Sequence, residues 1–138
     1  VPLLQPFSTF IVHHSDDYDE LVSQLDRQVA ILFPAEKQFS TKIALFEAFH
    51  NSMEHGNYPI TIEFATKSAE VMITIKDSGN GFPIKNKLRL IEEKGIDKLL
   101  EDRVLEVRGR GIYMMLKTAT NVLFAEQGNQ VSLTFKTV

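Results

Sequence analysis

The order of elements along the sequence predicts an α+β two-layer sandwich, a mixed and mostly antiparallel sheet with helices packed on one face. Three observations carry this reading. Residues 7–14 are rich in β-branched and aromatic side chains, two stretches of helical period follow between residues 15 and 57, and four alternating stretches come in two hairpin-like pairs.

Residues 7–14 (FSTFIVHH) read as a strand that gives way at Ser15-Asp16-Asp17 to a helix start, where acidic side chains meet the positive end of a helix dipole. The first helix carries Leu21, Leu25, Val29 and Leu32 at helical spacing and must stop near Pro34, which lacks a backbone donor. A second helix is predicted over 36–55, with Phe39, Ile43, Phe46, Phe49 or His50, and Met53 as its buried stripe and Gly56-Asn57 as its stop. Residues 58–64 and 70–76 alternate apolar with polar positions, and 65–69 is hairpin-sized, so the two should pair antiparallel. After DSGNGFP, the charged stretch 84–108 has only patchy helical order and reads as a lid. A short helix over 109–117 and two more strands, 121–126 and 130–136, close the chain around Gln127-Gly128-Asn129.

The 138 residues suit one domain, 1–138, with room for one core. With 15 Lys+Arg against 18 Asp+Glu, the net charge of −3 argues against a sequence-independent nucleic-acid binder, which needs surplus base to neutralise phosphates. The absence of cysteine excludes a disulfide framework and a thiolate metal site, so the cytoplasm is the default compartment. No apolar run is long enough to span a membrane, and no signal peptide opens the chain. The first residue is Val1 instead of Met, which fits an excised or processed piece of something larger.

Three groups of residues could carry chemistry. Glu47, Asn51 and His55 follow at i, i+4 and i+8 on one side of the second helix. A solvated helix surface gives the same pattern, but an asparagine in mid-helix is mildly costly unless its carbonyl oxygen has a task, such as ligating Mg²⁺. Asp77-Ser78-Gly79-Asn80-Gly81, at a strand end, offers a carboxylate to a ligand amine beside glycines that permit close approach; a tight turn with an acidic start reads identically. Arg108-Gly109-Arg110-Gly111 opens a helix, where free backbone N–H groups and arginines suit an anion, or where a glycine hinge simply sits among solvated arginines. His13-His14 face opposite ways on a strand and have no third ligand nearby in sequence. Lys85, Lys87 and Arg89 either screen phosphate charge or form a solvated basic face.

Taken in order, these motifs resemble the GHKL ATPase and kinase superfamily, whose ATP-binding two-layer sandwich is the Bergerat fold. ALFEAFHNSMEHGN at 44–57 looks like the helix motif of the branch typified by anti-sigma factor serine/threonine kinases, ITIKDSGNGFP at 73–83 like the adenine-binding segment, and RGRGIYMMLKTATNV like the phosphate-binding segment. The resemblance implies that Asn51 ligates Mg²⁺ with the ATP phosphates and that Glu47 is the general base toward a protein serine or threonine. It further implies that Asp77 bonds the adenine amino group, that Gly79 and Gly81 permit that approach, and that Gly109 and Gly111 lie against the phosphates. His55 either borders the nucleotide pocket or is a buried structural histidine, and Lys85 is a possible lid contact.

The chain departs from the family pattern at two places. Arg110 stands between the late glycines where relatives carry a hydrophobic residue, and Asn129 follows Gly128 where many relatives have threonine. By resemblance the expected function is an ATP- and Mg²⁺-dependent serine/threonine kinase of the anti-sigma type. It would phosphorylate an anti-anti-sigma (STAS-type) antagonist, sequester a sigma factor and form a homodimer. The alternatives are the catalytic domain of a sensor histidine kinase and a non-catalytic, nucleotide-regulated interaction module.

Overall fold

The computed structural model describes residues 5–55, 57–79, 115–125 and 129–138. Five strands are formed there, β1 (Gln5–Val12), β2 (Ile60–Lys67), β3 (Glu70–Lys76), β4 (Asn121–Phe124) and β5 (Gln130–Lys136), with helices α1 (Tyr18–Leu32) and α2 (Ala35–His55) between the first two. The spatial order is β1-β2-β3-β5-β4, and every neighbouring pair is antiparallel. This is the expected α+β two-layer sandwich.

Register explains why one face of the sheet is greasy. Phe10 and Val12 pair with Ile62 and Ile60, Ile62 with Ile75, Ile73 with Leu133, Ile75 with Val131, and these in turn with Val122 and Phe124. Because side chains alternate, that ladder puts one continuous apolar surface on one side, where Leu21, Leu25 and Val29 of α1 and Ala44, Leu45, Ala48 and Phe49 of α2 cover it. Each large side chain buried there contributes about 1.5–3 kcal/mol relative to exposure. The other face is mixed and more open, with Thr74 and Ser132 joined across strands at 3.1 Å and Leu123 exposed.

Several expectations are corrected. The first strand ends at Val12 because His14 is a helix cap: its ring accepts from the Asp16 N–H at 3.1 Å, and the Asp17 carboxylate accepts from the His14 N–H at 3.2 Å, around a 3-10 turn at Ser15–Asp17. The buried stripe of α2 is Thr41, Ala44, Leu45, Ala48, Phe49 and Ser52, whereas Phe39 is 76% exposed and Ile43, Phe46 and Met53 are only partly buried. Two alanines one turn apart let α2 settle close to the sheet, which turns the bulkier Phe39 side away from it. In the first hairpin, Ala65, Thr66 and Lys67 continue the strand opposite Met72, Val71 and Glu70, leaving a turn of only Ser68 and Ala69. The β4 strand stops at Phe124, and of the short helix expected over 109–117 the described residues show a helical turn at 115–118. The expected lid over 84–108 lies outside the described residues.

Ser68 sits at φ 52°, in the left-handed region that a side chain disfavours and glycine accepts. Ser68→Gly should therefore stabilise the chain by roughly 0.5–1 kcal/mol. Thermal melts of the two proteins check this, and a lowered midpoint would show that the serine contributes more than its backbone conformation costs.

Candidate functional site

Strand pairing brings the two polar groups of interest to one end of the sheet. Asp77 follows directly on Lys76, which pairs with Gln130, and the Asp77 N–H donates to the Asn129 carbonyl at 3.0 Å. Above the same end of β5, the last turns of α2 form a seam lined by Ala48, Asn51, Ser52, Met115, Phe124, Gln130 and Val131. Asn51 therefore faces the start of β5 while Asp77 is tied to the residue just before it. Only the fold makes this juxtaposition, since the two lie in separate elements.

Asn51 is 7% exposed, and its Nδ2 is buried with no hydrogen-bond partner among the described residues. A buried donor left in that state costs about 1–3 kcal/mol, so the site is incomplete in a way that a polar guest would repair. The seam has about 10 Å³ of free space, enough for one water or one ligand oxygen. An amide can present a donor to an anionic oxygen at one end and a carbonyl oxygen to a hard cation at the other. Asn51 thus suits a phosphate oxygen or a Mg²⁺ ion held partly by phosphates. Among the described residues no group of three or more His, Asp and Glu could hold a metal by itself. Glu47, one turn earlier on α2, is partly buried.

Asp77 is 4% exposed, and its Oδ1 accepts the Gly79 N–H at 2.7 Å. The strand end is further clamped by the Ser78 N–H to the Asn57 carbonyl at 2.9 Å and by the Ser78 hydroxyl to the Pro59 carbonyl at 3.2 Å. An ionised carboxylate has acceptor capacity well beyond one bond, so a buried, clamped carboxylate of this kind can still receive a ligand N–H. Asp77→Asn keeps one oxygen for Gly79 but replaces acceptor by donor at the other end. We expect it to weaken ATP binding by about tenfold or more; calorimetric titration checks this, and unchanged affinity would remove Asp77 from the site.

The remaining expected residues divide cleanly. Gly79 and Asn129 are placed beside Asp77, whereas Gly81, Lys85, Gly109, Arg110, Gly111 and the side chain of His55 lie outside the described residues. Sequence reasoning passed over Ser52 and Gln130, which line the seam: Ser52 directly follows Asn51 and could have been found, whereas Gln130 reaches the site only through the pairing of β3 with β5.

A five-stranded antiparallel sheet covered by two helices, with a buried amide and a buried carboxylate converging on one strand end, defines an α+β domain built to take a polar ligand there. A family model, the histidine kinase-like ATPase domain, matches residues 17–135. The chain belongs to that family, within the GHKL superfamily, and is an ATP-binding domain. No curated protein matches the chain. Among the described residues no helix is long and apolar enough to cross a membrane.

Proposed function

We propose that the protein is a serine/threonine protein kinase of the anti-sigma type, which uses ATP and Mg²⁺ to phosphorylate an anti-anti-sigma protein and holds a sigma factor when that antagonist is unavailable. The observation that supports it best is the pairing of Glu47 with a buried, unsatisfied Asn51 one helical turn away. Phosphoryl transfer demands mostly positioning and charge stabilisation, so these two side chains and a nucleotide anchor form a sufficient minimal set.

In this reading Asp77 accepts the adenine amino hydrogen, with Gly79 holding the carboxylate in place. Asn51 holds the metal and phosphate end. The Glu47 carboxylate takes the hydroxyl proton of the protein substrate as its oxygen attacks the γ-phosphorus, the bond to ADP breaking as the new ester forms. Bound Mg²⁺ would supply neutralisation of the phosphate charge. Gly81, Gly109, Arg110 and Gly111 complete the nucleotide contacts by family resemblance, and a homodimer is the working assembly.

Isothermal titration of ATP with and without Mg²⁺ tests the reading, with saturable binding strengthened by Mg²⁺ as the expected result. The family description also favours a second reading, the ATP-binding domain of a sensor histidine kinase. Acid treatment of the phosphorylated partner separates the two, because a serine or threonine phosphoester survives acid and a phosphohistidine does not. Nucleotide binding with no transfer to any partner would instead leave an ATP-regulated interaction module.

A further inference from the structure

Beside the stripe against the sheet, helix α2 carries a second one in which Phe39, Ile43, Phe46, His50 and Met53 recur at steps of three and four. Phe39 and His50 are exposed, Ile43 is partly buried, and Phe46 and Met53 are partly buried against the edge of the core. Where this stripe meets the start of α1, a cleft of about 550 Å³ opens between Ser15, Asp16, Tyr18 and Asp19 on one side and His50 and Met53 on the other. Among the described residues it shares no lining residue with the Asn51 seam.

The aromatic part of the cleft is fixed in place. The ring of Tyr18 stacks on Phe49 with centroids 6.0 Å apart and planes 7° apart, lies 5.8 Å from the His50 ring, and its hydroxyl is hydrogen-bonded to His50 Nε2 at 2.9 Å. The wall is acidic. Asp16 and Asp19 line it, Asp17 and Glu20 flank them, and no Lys or Arg lines it among the described residues. Asp16 faces His14 at 3.3 Å, whereas neither Asp19 nor Glu20 has an ion pair among the described residues.

We propose that this cleft and the adjoining α2 stripe dock a basic, amphipathic segment of a partner protein. A Lys or Arg fits both halves: its aliphatic stem lies along Met53 and the Tyr18 ring, and its charged end reaches the aspartates. The apolar residues of the same segment continue over the accessible parts of Phe46 and Ile43, both partly buried, and onto the exposed Phe39. An anionic lipid surface or an acidic peptide would meet the wall with like charge. A second copy of the chain docking through the same face would bring a second acidic wall to it. The inference does not depend on whether the chain transfers phosphate.

The probe is a fluorescein-labelled peptide of about four helical turns, with Leu and Lys at amphipathic spacing, and its counterpart with Glu for Lys. Fluorescence anisotropy on the full chain should show saturable binding of the Lys peptide, weakened by salt, and none of the Glu peptide. The double variant Asp16→Asn/Asp19→Asn should lose affinity about tenfold, and Met53→Ser should also lose affinity. Equal binding by wild type and both variants, or binding of both peptides, overturns the proposal. So does light scattering that shows self-association abolished by Met53→Ser, which would assign the surface to a second copy. ATP titration of the same samples keeps the two readings apart: nucleotide binding without peptide binding defeats only the docking surface, and the converse defeats only the kinase reading.

Discussion

Glu47→Gln should lower phosphoryl transfer by about 10²–10⁴-fold, the range expected for removing a general base, while ATP affinity stays near that of wild type. The substitution keeps shape and hydrogen-bonding capacity but removes the site that accepts the hydroxyl proton. Glu47 is partly buried and is not among the described residues lining the seam, so the change leaves those lining residues in place. Single-turnover transfer to the partner protein, alongside calorimetric ATP binding, is the measurement. Transfer at the wild-type rate would exclude Glu47 as the base, and a parallel loss of ATP binding would mean that the carboxylate holds nucleotide instead.

Asn51→Leu should have two effects of opposite sign. Leucine is close to asparagine in size and removes the buried Nδ2 that has no partner among the described residues, so the folded state should gain roughly 1–2 kcal/mol and melt at a higher temperature. The same change removes the amide from the metal and phosphate end, and Mg²⁺-dependent ATP binding should fall by about a hundredfold or more. A residue kept for packing alone would not separate these readouts, whereas a residue kept for its ligand must. Thermal melts and titrations on one preparation suffice. A destabilised variant would show that the amide has a structural partner, and one that binds Mg²⁺-ATP normally would remove Asn51 from the site.

The parts of the fold that were legible in the sequence are those where a single period decides the structure. Strands β3 and β5 fall where alternation places them, 70–76 and 130–136, because Val71, Ile73 and Ile75 and then Val131, Leu133 and Phe135 allow only one face to be buried. Helix α2 was harder because it has two stripes. The phenylalanine-rich one attracts attention, yet the sheet is covered by Thr41, Ala44, Ala48 and Ser52 together with Leu45 and Phe49, small and polar residues that a hydrophobic count passes over. The site was legible in its parts: the cost of a mid-helix asparagine marked Asn51, and a carboxylate at a strand end marked Asp77. Their meeting through β5 was not, since it follows from β3 pairing with a strand more than fifty residues later in sequence. The imidazole of His14 as a helix cap escaped because an acceptor side chain on histidine is an uncommon cap, although Asp17 three residues on completes a capping box.

The bond between Tyr18 and His50 has a practical consequence. The chain contains three tyrosines and no tryptophan, so with excitation at wavelengths beyond the phenylalanine band its ultraviolet emission comes from Tyr18, Tyr58 and Tyr113. Tyrosine fluorescence is dimmed by hydrogen bonding of the phenol and by a neighbouring imidazole, and Tyr18 has both within its own helix pair. Tyr18 is thus a native optical reporter at the junction of α1 and α2: anything that parts the phenol from the imidazole brightens the protein, and Tyr18→Phe gives the background against which to read it.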